Sequence, residues 1–199
     1  MMEELLPGNR TKMRILKSIY ESDGINITAL IHKVKASPNL ILHYANTLID
    51  YGVLKENKLS GPKKVHMRIL KPNLSSELGR AIFYFIESEK RAILLQKYNV
   101  LKPYFGQLEE LCAGQNIIIL LYGSHARLAA TTESDLDLLF IGKTDKATLR
   151  RIKEIFITLE VELSFKVETA AGFLKQKHKP LYHNVLREHV VICGDWQFM

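Results

Sequence analysis

Ile117-Ile118-Ile119-Leu120-Leu121-Tyr122-Gly123-Ser124, followed after ten residues by Asp135-Leu136-Asp137-Leu138-Leu139-Phe140-Ile141, decides how the second half of this chain folds. The first run is short, continuously apolar and bounded by Asn116 and Gly123, which fits a buried strand better than a helix. The second, read from Ser134 to Ile141, alternates: Asp135, Asp137 and Leu139 fall on one face, and Leu136, Leu138 and Phe140 on the other. Two carboxylates at alternate strand positions point the same way. Their mutual repulsion calls for a cation, and all-oxygen ligation favours Mg2+ or Mn2+ over zinc. The glycine that ends the first strand lets a phosphate approach the backbone, and the Ser124 hydroxyl with the amides of the following turn can bond phosphate oxygens.

Gly123-Ser124, ten residues, then Asp135-Leu136-Asp137 closely resembles the signature of the minimal nucleotidyltransferases of the DNA polymerase β superfamily. The resemblance runs from Asn116 to the end of the chain, and the phrase from Phe173 to Gly194, with Leu186, His189 and Val190 leading into a last short strand, is similar to the tail of archaeal members. It implies transfer of a nucleoside monophosphate from a nucleoside triphosphate, ATP by expectation, to a macromolecular hydroxyl, with pyrophosphate released and two metal ions at the carboxylates. Carried over, Asp135 and Asp137 are metal ligands, Ser124 contacts the β,γ-phosphates beside Gly123, and Arg127 reaches the phosphates. A third carboxylate is expected on a later strand, Glu160-Val161-Glu162-Leu163-Ser164-Phe165-Lys166-Val167, where Glu160, Glu162 and Ser164 share one face. Glu162 is the favoured third ligand and catalytic group, with Glu160 the alternative. Alignment on Lys166-Val167 would instead set Ser164 there and leave binding with poor turnover. Leu128 stands where many members carry glycine, and His125 occupies a variable place, so no catalytic role is expected of it.

The first third reads differently. Residues 1–74 hold twelve Lys/Arg against six Asp/Glu, and residues 75–199 hold sixteen against fifteen, so nearly all of the net charge of +7 sits at the N-terminal end. Such a split predicts a polyanion partner for one part. Helical spacing runs from Arg10 to Tyr20; Thr28 is the expected cap of a second helix through Val34. Ser37-Pro38 opens a third that ends near Gly52, and Val53–Asn57 and Lys63–Leu70 flank a turn at Ser60-Gly61-Pro62 as a hairpin. The stretch Leu48–Leu54 is similar to the end of the recognition helix of many archaeal and bacterial regulators, so residues 1–74 resemble a winged helix-turn-helix. That family's geometry implies duplex DNA as partner, with Asn39, His43 and Asn46 toward base edges and Lys58, Lys63 and Lys64 toward phosphates.

The expected fold is α+β: a winged helix over 1–74, a helical connector over 75–114 capped by Ser75 or Ser76, and a mixed-sheet nucleotidyltransferase domain over 115–199. At 199 residues the chain suits two domains, and 47% hydrophobic with 25% charged residues is ordinary globular composition. No apolar run approaches the roughly 18 residues of a membrane span, and Met1-Met2-Glu3-Glu4 lacks a signal-peptide pattern, so a cytoplasmic protein without membrane contact is expected. Cys112 and Cys193, without Cys or His at ligand spacing, suggest neither a disulfide framework nor zinc and read as small buried apolar residues. The apolar connector stripe suits a homodimer. Two further roles share these motifs: a DNA-binding regulator whose second domain only senses nucleotide, and an antitoxin-type enzyme whose acceptor is a partner protein.

Overall fold

Helix caps and apolar spacing set the N-terminal elements. The computed structural model describes residues 10–22, 24–60, 66–159 and 161–195, and at 58–60 and 66 it describes the backbone alone. Lys63, Lys64, Glu160 and the turn centred on Gly61 and Pro62 therefore lie outside the described residues, and Lys58 is placed by its backbone. Helix α1 spans Arg10–Tyr20, α2 Ile27–Val34 and α3 Pro38–Asp50. The Ser37 hydroxyl caps α3 by accepting from the Leu40 amide, with Pro38 at the first helical position. The cap of α2 is Asn26, whose Oδ1 accepts from the Ala29 amide at 2.8 Å, and not Thr28. An Asx side chain one step earlier satisfies the orphan amide, so the helix begins a residue before the expected cap.

Ile15, Leu16, Ile19, Leu30, Ile41, Tyr44, Ala45 and Leu48 are buried, which makes one core from the apolar faces of three helices. Strands β2 (Leu54–Ser60) and β3 (His66–Pro72) form the expected hairpin. A short strand β1 (Ile25–Asn26) pairs with the far edge of β3 and gives an antiparallel order β1-β3-β2. Two residues with no periodicity carry no strand signal in sequence; they pair because the turn before α2 brings them to Leu70 and Ile69.

The chain divides into two compact units, Met1–Ile86 and Glu87–Met199. The division falls inside helix α4 (Glu77–Lys97), where the Ser76 hydroxyl accepts from the Gly79 amide as cap. The helix expected as a connector contributes to both units: Phe83 stacks on Tyr20 in the first, and Leu94 enters the core of the second. A 3-10 turn at Asn99–Leu101 leads into α5 (Lys102–Cys112).

The second unit is a four-stranded sheet in the order β6-β5-β4-β7, with β4 at Ile117–Tyr122, β5 at Leu136–Gly142, β6 at Leu163–Glu168 and β7 at Val190–Cys193. β5 and β6 run parallel and the other pairs antiparallel. Ile117, Ile119, Leu121, Leu136, Leu138 and Phe140 enter one core with Phe105, Leu108 and Cys112 of α5 and Ile152 of α7 (Lys146–Ile155). The alternate residues of β5, Asp137 among them, face the other way. That side carries α8 (Ala170–Gln176) and α9 (Pro180–Glu188), from which Phe173, Tyr182 and Val185 are buried. The two cysteines, remote in sequence, both pack in the core that α5 covers.

Candidate nucleotide and metal site

Strand β4 ends at Tyr122, directly opposite Asp137 of β5, and the chain turns at Gly123 into a one-turn helix, α6 (Gly123–Ala126). Gly123 takes φ +73°, and a Cβ there would lie 2.1 Å from Asp137 Oδ2. No side chain fits that space, so the glycine is fixed twice, by backbone conformation and by the carboxylate lying over it. Ser124 follows on the same turn, half-buried, its carbonyl accepting from the Ala129 amide at 2.9 Å.

Asp135 lies just before β5, which begins at Leu136 and not at the expected Ser134. The carboxylate end of the motif is therefore a loop that becomes a strand. His125 holds it: the buried imidazole donates from Nδ1 to the Asp135 carbonyl at 2.9 Å, with its ring 5.1 Å from that of Tyr98. Burial lowers the basicity of His125, while its bond to the Asp135 carbonyl pulls the other way. No sequence signal marked this residue, because its role is to position a backbone carbonyl ten residues away.

Burial raises the affinity of the Asp137 carboxyl for its proton, the neighbouring charge of Asp135 adds to that, and a hydrogen bond with Ser164 opposes it. Among the described residues, no lysine or arginine forms a salt bridge with Asp135 or Asp137. Arg127 is instead paired with Glu188 at 3.2 Å, both largely exposed. Arg127 and His125 act on Asp137 only through space, so among the described residues the two carboxylates lack a direct basic contact, and an oxygen-preferring divalent cation fits between them.

Register decides the neighbours on β6. Asp137 lies opposite Ser164, and the Leu136 amide donates to the Glu162 carbonyl at 2.8 Å. Glu162 stands before β6 begins, alongside Asp135 and exposed to solvent. Among the described residues, no three His, Cys, Asp or Glu side chains gather as a metal-holding group. The structure brings together Gly123, Ser124, Asp135, Asp137 and Ser164. It leaves Glu162 at the rim and Arg127 on an ion pair that would have to open for it to meet a phosphate.

Residues 107–196 match the family model described as Polymerase beta, Nucleotidyltransferase. The match contains the whole constellation and supports placing this segment in the nucleotidyltransferase superfamily. No curated protein matches the chain. Among solved structures it is similar to TrmBL2, described as an archaeal chromatin protein with a novel mode of DNA binding, at 11% identity and a TM-score of 0.30 over 90% of this chain and 70% of that one. That likeness is too distant to bear on the fold or the partner.

The residues expected to meet DNA all belong to the first unit. Asn39, His43 and Asn46 of α3 are exposed, while Ile41, Tyr44, Ala45 and Leu48 on its other face are buried. Asn46 is held, however: its Oδ1 accepts from Arg68 Nη2 at 2.7 Å, and that guanidinium also bonds both Glu56 carboxylate oxygens, at 2.9 and 3.0 Å. The fork fixes α3 to the β2–β3 hairpin and leaves only the Asn46 amide to donate elsewhere. Among the described residues, no helix is long and apolar enough to cross a membrane.

Proposed function

We propose that residues 115–199 bind a nucleoside triphosphate with Mg2+ or Mn2+ and transfer its nucleoside monophosphate to a macromolecular hydroxyl, while residues 1–74, as a winged helix, hold duplex DNA. The observation that carries this reading is the Asp137 carboxylate seated over the Cβ-less Gly123, two positions from Asp135 and, among the described residues, in no salt bridge with a lysine or arginine. In this reading Asp135 and Asp137 hold the cation, which would neutralise the triphosphate charge when bound. The Gly123 backbone and the Ser124 hydroxyl take the β,γ-phosphates. Arg127 exchanges Glu188 for phosphate, and Glu162 accepts the proton of the attacking hydroxyl as the α-phosphorus is displaced from pyrophosphate.

One observation favours a second reading. Ser164, which cannot bind a proton or a metal as a carboxylate does, occupies the register position beside Asp137. With a serine there, the site holds nucleotide and turns over weakly, and the chain is a DNA-binding regulator that senses nucleotide. ATP labelled at the α-phosphate, offered with Mg2+ and with duplex DNA, RNA or protein as acceptor, separates the two. Label transferred by the wild type and lost in Asp135→Asn and Asp137→Asn supports the enzyme. Metal-dependent ATP binding without transfer supports the sensor, and no ATP binding at all removes both.

A further inference from the structure

Between Thr169 and Arg187 the chain holds four Lys/Arg, two His and no Asp/Glu, and taking those four out of residues 75–199 leaves twelve Lys/Arg against fifteen Asp/Glu. The excess positive charge of the second unit is thus gathered in one segment. Lys175, Lys177, His178, Lys179, His183 and Arg187 are all exposed. Lys179, the N-cap of α9, His183 and Arg187 recur every four residues and form one flank of that helix, while Tyr182 and Val185 on its other side are buried. Among the described residues, none of the four Lys/Arg forms a salt bridge. Lys179 donates to the neutral Gln176 side chain at 3.0 Å.

The packing of α9 carries this flank to the proposed nucleotide site. Toward its N-terminal end the Tyr182 hydroxyl donates to Glu168 of β6, and Lys166 Nζ lies 5.7 Å from the Tyr182 ring centre. Lys166 is exposed, two positions beyond the Ser164 that stands opposite Asp137, and strand alternation sets it on the Asp137 face. At the C-terminal end Glu188 pairs with Arg127, just after α6, and α9 packs on α6. The flank therefore runs from the edge strand β6 to the Gly123-Ser124 turn. Two carboxylates beside it are already engaged, Glu168 by Tyr182 and Gln176, and Glu188 by Arg127.

We propose that α8, α9 and Lys166 form the acceptor-docking surface of the second unit, and that its partner is a single-stranded nucleic acid. Its phosphates lie along Lys175, Lys179 and Arg187, with His183 and Asn184 free to hydrogen-bond phosphate or sugar between them. Repeated cations with no acid interposed suit a polymer of phosphates. A flexible strand can follow a flank about 12 Å long and still turn its end into the site. There the terminal hydroxyl oxygen bonds the α-phosphorus, the bond to the bridging oxygen breaks, pyrophosphate leaves with that electron pair, and the hydroxyl proton passes to Glu162. That last step rests on the nucleotidyl-transfer reading; the strand binding does not.

The test titrates the full chain with a short fluorescent single strand, RNA and DNA in separate arms, by anisotropy at several salt concentrations and without ATP. Lys175→Gln, Lys179→Gln and Arg187→Gln combined are expected to reduce the slope of log K against log salt by about 2 in at least one arm. Unchanged slopes in both arms overturn the proposal. With ATP labelled at the α-phosphate, the same variant is expected to raise KM for the strand about tenfold at an unchanged kcat and with Mn2+-dependent ATP binding intact. Label that passes to protein and to neither strand overturns the proposal as well. Asp137→Asn is expected to lose ATP binding and keep strand binding, so failure of the nucleotidyl-transfer reading would leave the anisotropy result standing and the two failures are told apart.

Discussion

At Gly123 a single hydrogen atom does what no side chain can. The turn needs φ +73°, and Asp137 Oδ2 fills the space a Cβ would take. Gly123→Ala is therefore expected to cost about 1–3 kcal/mol in chemical denaturation and to remove Mn2+-dependent ATP binding by pushing the carboxylate aside; full stability with unchanged binding would show that the close approach is dispensable. Asp137 carries the opposite sign. Its folded affinity for a proton is raised, first by burial, so stability tied to the protonated form is lost as pH rises through the folded value. In EDTA at neutral pH, Asp137→Asn is expected to be at least as stable as the wild type, with the difference closing on acidification, yet to lose metal binding. Ser164→Asp tests the register directly: a third carboxylate beside Asp137 is expected to tighten Mn2+ binding about tenfold or more in calorimetry and to raise any transfer rate. Unchanged affinity would mean that position 164 does not face the ion. Leu128 shows a different accommodation. It keeps φ +58° although it is not glycine, and packs its side chain against the core of the second unit.

Among the elements, β7 depends most on charges that no strand pattern reveals. Its Val191 amide and Ile192 carbonyl are bonded by Glu87 and Arg91 of α4, and His189, just before it, lies buried 3.5 Å from Glu87. Burial alone would raise the Glu87 carboxyl; His189, Lys90 and the Val191 amide outweigh it and hold it below the usual range. Burial and Lys90 push His189 down to about 4, despite the pull of Glu87. An unfolded histidine binds its proton near 6.5, so between about pH 6.5 and 4 the unfolded chain holds more protons than the folded one, and stability falls as pH falls. The loss is expected to be on the order of 3 kcal/mol across that window, read from denaturant midpoints at pH 7 and 4.5. His189→Asn should flatten that part of the slope; an equally steep profile in the variant would assign the acid sensitivity to other groups. The element boundaries repeat the lesson. Leu136, Leu138 and Phe140 reached the core face that alternation expected, but β5 starts after Asp135, because His125 draws that residue's carbonyl out of the ladder.

Over the whole molecule, charge and motif divide between the ends of the chain. The excess of +6 in residues 1–74 predicts that duplex binding weakens steeply with salt. Replacing Lys63 and Lys64 together by alanine is expected to reduce the slope of log K against log salt by about 2, measured by fluorescence anisotropy; an unchanged slope would take those lysines away from the phosphates. The sequence by itself determined the strand leading to Gly123-Ser124, the faces of β5, the cap at Ser37, and the separation of charge, because each follows from local periodicity, backbone preference or composition. Only the tertiary structure decided that Ser164 stands opposite Asp137, that Arg127 is engaged by Glu188, and that Asn46 is held by Arg68. Those are pairings between residues distant in the chain. Strand register and side-chain reach fix them, and both are set when sheets and helices pack rather than by any neighbouring residue.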